Sequence, residues 1–347
     1  MLRLLAALCL CVALLGCDDG GEELVLYTSV DEPYARPIID KFTEQTGIAV
    51  RLVTDTEANK SVGLAERLRL EKNRPVADVW WGNEPFHTVR LAREGAFASY
   101  EPTTAADTLP LYRGANNHWF GNGLRARVVA WPDFAANAGP DGAIPGVALP
   151  GSMEQIREFA QTDHYAIAIA RPTAGTTGGH VAALYVLWGQ ERADAYFRAL
   201  GQSGRVTVVA GNGPAARFVV DGGGEQDTAV SLTDNDDVAN FNKSSDYKIE
   251  AWPLDQGEDE IGTLTIPTTV ALVAKDQPSD AAKRLVDFLA SAEAERMLAD
   301  AEFTIGSVRQ SPESGGIRAM DVDYDAVADA MPEAVRRATA LLEGREP

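Results

Sequence analysis

The sequence predicts an α/β protein of two lobes, in which short apolar strands alternate with helices around a mostly parallel sheet. Three observations carry this. A strand and helix alternation begins at Leu24, the same alternation resumes at Tyr165 after a loop-rich stretch, and 347 residues suffice for two separate cores.

In the first lobe, Leu24 to Thr28 reads as a buried strand, and Pro33 to Gln45 places Ile38, Ile39 and Phe42 on one helical face before Gly47 stops it. Ile48, Val50 and Leu52 alternate with Ala49 and Arg51 as a second strand, followed by a charged helix from Ala65 to Lys72. Ala77 to Trp81 is a third strand, ending at Gly82-Asn83-Glu84-Pro85, with a helical stretch from Val89 to Glu94 after it. Leu124 to Trp131 is strand-like, and Pro132 to Ser152 is a connection.

The second lobe opens with the strand Tyr165 to Ala170. A Gly- and Thr-rich loop, Arg171 to Gly179, leads into an apolar helix from His180 to Trp188 that continues towards Leu200. Val206 to Ala210, Ala215 to Val220 and Thr228 to Leu232 form a strand, helix, strand passage that ends in Thr233-Asp234-Asn235-Asp236-Asp237. Thr263 to Val273 is a further apolar stretch. Helices over Ser279 to Ala290, Ala292 to Asp300 and Ala326 to Leu342 complete the chain. Trp80, Trp81 and Trp119, at strand ends, are read as packing residues.

The N-terminus sets the compartment. Arg3 is a basic n-region, Leu4 to Leu15 is an apolar run too short to span a bilayer, and Gly16-Cys17 follows at once. Leu14-Leu15-Gly16-Cys17 resembles a bacterial lipobox, so residues 1–17 are expected to be a lipoprotein signal with Cys17 lipidated and residues 18–23 a tether. Cys9 and Cys11 leave with the signal, which removes disulfides and thiolate metal sites from the mature chain. The formal charge of −20 becomes 30 − 51 = −21 without Arg3, which excludes nucleic acid as a natural partner.

There is no phosphate-binding Gly-rich loop ending in Lys-Ser/Thr, no paired-His zinc helix and no Gly-x-Ser-x-Gly turn, and His87, His118, His164 and His180 are scattered singly. What remains is a set of polar loops after strands, the edge at which open α/β sheets bind ligands. They hold Ser29, Asp31 and Glu32; Asn83 and Glu84; Thr173, Gly175, Thr176 and Thr177; Asn212; and Asp234, Asp236 and Asp237. The Thr/Gly loop before a helix suits an anion. Asp31, Glu32, Glu84, Asp236 and Asp237 offer hard oxygen donors to a cation. Together they suit a cation with a counter-anion, or a zwitterion.

Leu26-Tyr27-Thr28-Ser29, Phe42-Thr43-Glu44-Gln45-Thr46-Gly47-Ile48, Ala77-Asp78-Val79-Trp80-Trp81, Arg171-Pro172-Thr173-Ala174-Gly175 and Ile261-Gly262-Thr263 through Ile266-Pro267 to Val270-Ala271-Leu272 resemble the ferric-iron-type extracellular solute-binding proteins of ABC importers. The resemblance implies a periplasmic-binding-protein-like fold with a hinge and an interlobe cleft. Lobe 1 would be 24–123 with 264–312, and lobe 2 would be 124–263 with 313–347. It implies a monomer that is not an enzyme, sits on the periplasmic side of the envelope by its lipid anchor, and delivers its solute to a permease and ATPase. The ligand implied is Fe3+ with a small anion, and no resident cofactor. Its metal set falls on Glu32, Glu84, Asp236 and Asp237, the first-loop position being Asp31 or Glu32, and its anion loop on Thr173 to Thr177. The family's tyrosine pair is replaced by Asp236-Asp237, a departure that leaves a phosphonate, a sugar phosphate or a thiamine-like molecule as the alternative. Tyr27 or Tyr34 is the candidate to supply a phenol instead. A hydrolase using Glu84 with Asp236 is the reading from another class.

Overall fold

The computed structural model describes residues 23–55, 62–137, 148–173, 175–222 and 228–347. The proposed signal, lipidated Cys17, the tether up to residue 22 and Ala174 lie outside the described residues. Strands and helices follow one another as β1 (Leu24–Thr28), α1 (Glu32–Thr46), β2 (Val50–Thr54), α2 (Val62–Leu70), β3 (Val79–Gly82), α3 (Pro85–Arg93), β4 (Phe120–Pro132), α4 (Met153–Phe159), β5 (Tyr165–Ala170) and α5 (Gly175–Trp188). The order continues with α6 (Gln190–Gln202), β6 (Val206–Val209), α7 (Asn212–Asp221), β7 (Thr228–Asp234), α8 (Asn235–Ser244), β8 (Ile249–Pro253), β9 (Thr265–Leu272), α9 (Asp280–Leu289), α10 (Ala292–Asp300) and α11 (Tyr324–Leu342). Among these residues no helix is long and apolar enough to cross a membrane.

The strands pair in the order β2-β1-β3-β9-β4-β7-β5-β6, with β8 beside β4. The expectation of a mostly parallel sheet needs correction. The flanks are parallel, β1 with β2 and β3, and β5 with β6 and β7. The centre is antiparallel, because the long strands β4 and β9 run between the flanks in opposite directions. β4 pairs with β9 from Phe120 to Ala126, shifts register between Gly121 and Leu124, and pairs with β7 from Arg127 to Ala130. One strand thus serves both flanks.

Alternation along the strands builds the cores. Leu24 and Leu26 face Ile38, Ile39 and Phe42 of α1 with Leu285 and Leu289 of α9, while Val25 and Tyr27 face Leu64 and Leu68 of α2. On the other flank, Ile167, Ile169, Val230 and Leu232 pack towards α5, α6 and α11, and Val128 and Ala130 pack on Ala216, Val219, Val238 and Phe241 of α7 and α8. Trp80, Trp81 and Trp119 are buried.

Several boundaries differ from the sequence reading for identifiable reasons. The helix expected to run from His180 towards Leu200 is two helices, because Gly189 adopts a left-handed φ of 75° between them. α3 starts four residues before its predicted position because Glu84 caps it. α4, α8 and β8 were not anticipated; α4 has only seven residues and α8 begins inside an acidic run that reads as a turn.

Asp255, just after β8, is buried with φ 58° and accepts the Met153 N–H. Burial pushes its carboxyl up to about 7, with the Met153 hydrogen bond opposing and Glu260 reinforcing the rise. The folded state therefore keeps a proton that the unfolded state releases near pH 4, so stability falls as pH rises from about 4 to about 7. Asp255→Asn should be more stable than the wild type at pH 8 by on the order of 1–3 kcal/mol and should converge with it at pH 4, as read by urea denaturation at both values. An equal difference at both pH values would contradict this account.

Candidate functional site

The polar loops meet around two arginines that sequence reasoning passed over. Arg125 and Arg127 lie two apart on β4 and so share a face, and each is 2% exposed. The signal was present as two arginines at i and i+2 within an otherwise apolar strand.

Arg127 Nη1 donates to Asp234 Oδ1 at 2.7 Å and to Asn212 Oδ1 at 3.0 Å. Arg125 Nη1 donates to both oxygens of Asp236 at 3.1 Å and to Asp234 Oδ2 at 3.3 Å, and its Nη2 donates to the Asn83 carbonyl. Asp234 Oδ2 also accepts from the Thr176 hydroxyl at 2.6 Å and from Asn212 Nδ2 at 3.0 Å. Thr177 donates to Asn212 Oδ1 at 2.9 Å. Residues from the ends of β3, β5, β6 and β7 thus meet at the two arginines.

The two buried carboxylates behave oppositely. Burial alone would raise Asp234, but Arg127, Arg125 and the Thr176 hydroxyl hold it below the usual carboxylate range. Asp236 is pushed up to about 6 by burial, against the opposing pull of Arg125 and with help from Asp234 and Asp31. Asp234, Asp236 and Asp237 each offer an oxygen within 4.8 Å of the others. Tyr34 of α1 joins them. Its ring lies 4.6 Å from Phe303, its hydroxyl is buried with no hydrogen-bond partner among the described residues, and burial followed by the fields of Asp236, Asp31 and Asp237 pushes it up to about 12. Tyr27 is elsewhere, donating to Glu71.

The proposed metal set of Glu32, Glu84, Asp236 and Asp237 is not assembled as one group. Glu32 forms an exposed ion pair with Arg36 one helical turn away. Glu84 is 1% exposed and serves as the N-cap of α3, accepting from Phe86 N at 2.6 Å and from His87 N, with the His87 ring at 2.8 Å. The anion loop is corrected in two respects: Thr176 and Thr177 belong to the first turn of α5, and their hydroxyls turn inward to Asp234 and Asn212. Thr173 is exposed. Ser29 and Asn83 bond to each other, and the Asp31 carbonyl starts α1. Beside Arg125 lies a cavity of about 170 Å³ that Thr265, Ser307 and Gln310 also line.

Residues 24–304 match the model of a family described as bacterial extracellular solute-binding protein. The chain belongs to that family. No curated protein sequence matches this solute-binding protein. Its fold is similar to that of iron-bound HitA from Pseudomonas aeruginosa, with 23% identity, a TM-score of 0.70, and 91% of this chain and 99% of the other covered. It is similar as well to Trichodesmium IdiA (FutA) in complex with iron and citrate, at 18% identity and a TM-score of 0.69, with 90% and 97% covered. A third similar structure is the periplasmic binding protein AfuA from Actinobacillus pleuropneumoniae with exogenous fructose-6-phosphate bound, at 18% identity and a TM-score of 0.70, with 91% and 97% covered. These likenesses establish a two-lobed periplasmic-binding-protein fold for this solute-binding protein.

Helices α3 and α5 touch at Gly179, where an added Cβ would fall 1.9 Å from Phe86 Cε2. At Gly178 the nearest atom is the flexible end of Met331, at 2.7 Å. Gly179→Ala should therefore lower stability by about 1–3 kcal/mol through overpacking, whereas Gly178→Ala should be close to neutral because helix propensity offsets a small shift of Met331. Urea denaturation of the two variants checks the ranking, and equal effects would count against a tight α3–α5 contact.

Proposed function

We propose that this chain is the solute-binding lipoprotein of an ABC importer, that it captures ferric iron between its lobes, and that it delivers the ion to a permease. The lobes are 24–123 with 264–312 and 124–263 with 313–347, and Cys17 carries the anchor on the periplasmic side. The observation that carries the iron reading is that Asp236 and Asp237 bring oxygens within 4.8 Å of each other, next to Asp234 and beside the buried Tyr34 hydroxyl, which has no hydrogen-bond partner among the described residues. Carboxylate and phenol oxygens are hard donors, matched to a hard, highly charged ion.

Each group has a part. Asp236 and Asp237 are the ligands, and Tyr34 adds a phenolate. In the empty site, burial and the neighbouring carboxylates keep that phenol protonated. A trivalent ion reverses the local field and makes the phenolate favourable. A univalent cation gains little, because Arg125 already balances Asp236. Capture draws Tyr34 from α1 and Asp236 from α8 onto one ion, so the contacts are complete only when the lobes are closed, and the ion selects that state.

The likeness to AfuA favours a second reading, in which a small organic solute such as a sugar phosphate or phosphonate is the cargo. The inward-turned hydroxyls of Thr176 and Thr177 weigh against it. The acid/base use of Glu84 with Asp236 loses support because the Glu84 carboxylate is engaged as a helix cap.

Fe(III) supplied as a weak chelate should raise the melting temperature of the wild type, and Asp236→Ala with Asp237→Ala should abolish the rise. A shift with a phosphonate and none with Fe(III) would transfer the assignment to the organic class. Tyr34→Phe separates function from stability. Removing a buried hydroxyl that has no partner among the described residues should leave the apo protein equally or more stable, by up to about 1 kcal/mol, while Fe(III) affinity drops at least about tenfold. Unchanged Fe(III) affinity in that variant would remove Tyr34 from the ligand set.

A further inference from the structure

The side chains around the start of α5 hold an anion that belongs to the chain. Asp234 Oδ2 receives the Thr176 hydroxyl, Asn212 Nδ2 and Arg125 Nη1, and Oδ1 receives Arg127 Nη1. Four donors fill about the whole accepting capacity of one carboxylate. They come from β4, α5 and α7, and Thr176 sits in the first turn of α5, where the helix dipole favours negative charge. Asp234 is 1% exposed, and neither arginine Nε has a partner among the described residues, so these contacts with the acids carry the buried guanidinium charge.

We propose that Asp234 is a built-in counter-anion, whose carboxylate occupies the Thr176, Asn212, Arg125 and Arg127 cradle and makes capture of the cargo independent of any free anion. A carboxylate fixed to the backbone acts at an effective concentration that no dissolved anion matches, and its charge repels a second anion from the same donors. Asp234 thereby determines specificity in two directions. It spares the protein a co-ligand, and it excludes phosphorylated solutes from the α5 start. The statement about capture rests on the cation reading, but the occupancy of the cradle does not.

The test is chemical rescue. In buffer free of phosphate, citrate and bicarbonate, the wild type should melt within about 1 °C of the same temperature when chloride is exchanged for formate or phosphate at about 50 mM. Asp234→Ala removes the tethered carboxylate and leaves a hole of its size, so formate, a free carboxylate, should raise its melting temperature by about 3 °C or more over matched chloride. Asp234→Asn, which keeps the shape and fills the hole, should show no such rise. Fe(III) capture by the wild type should ignore formate, whereas Asp234→Ala should lose at least about tenfold in affinity without formate and regain it with formate. Stabilisation of the wild type by formate or phosphate, or indifference of folded Asp234→Ala to formate, would overturn the proposal. The wild-type arm decides even if Asp234→Ala fails to fold. The melting experiments contain no cargo, so failure of the iron reading alone would leave the formate effect intact.

Discussion

The site depends on two guanidinium groups carried into the interior by one strand. Arg125 and Arg127 are both buried on β4, and a charge taken out of water costs several kcal/mol unless opposite charge and hydrogen bonds meet it. Asp234 and Asp236 meet it, and Thr176, Asn212 and the Asn83 carbonyl complete the bonding. Removing any one charge leaves its partner stranded, so the cluster resists piecemeal change. It also fixes geometry, because the end of β7, the start of α5 and the loop after β3 must all reach the same two side chains.

That constraint sorts the acidic residues into different tasks. Asp234 is held ionised by two arginines and is structural charge. Asp236, deeper in the balance between burial and Arg125, holds its proton to a higher pH and is the more adaptable group. Glu84 is withdrawn into the cap of α3. Tyr34 differs from the other phenol considered, Tyr27, in having no partner for its hydroxyl among the described residues. A buried donor left without a bond is costly, which is why such a group points to an interaction the empty protein does not complete.

The surroundings connect the site to the neighbouring helices. Lys243 of α8 donates to the Ala301 carbonyl and pairs with Glu302 at the end of α10, and its ammonium lies 5.5 Å from the Tyr34 ring centroid. α11 packs along α5 and α6 and also reaches α3, where Arg93 pairs with Asp325 and Asp329. The flanks also share an apolar core, in which Phe86 of α3 meets Tyr324 of α11 and Gly179 of α5. Exposed ion pairs such as those of Arg93 add little to that packing.

Local chemistry was legible in the chain. Apolar runs gave β1 and β5 to the residue and marked the stretch that holds β9, and the sequence pattern gave α9, α10 and α11. These depend on interactions a few residues long, which composition and spacing record directly. The fate of each polar side chain was decided elsewhere. Nothing near Thr176 reveals that its hydroxyl will meet Asp234, 58 residues on, and nothing near Arg125 reveals a partner 111 residues away in Asp236. Glu84 looks the same in sequence whether it binds cargo or caps a helix. Which charges meet is a property of strand order and register, and those are settled only when distant segments pack against one another and water is removed from between them.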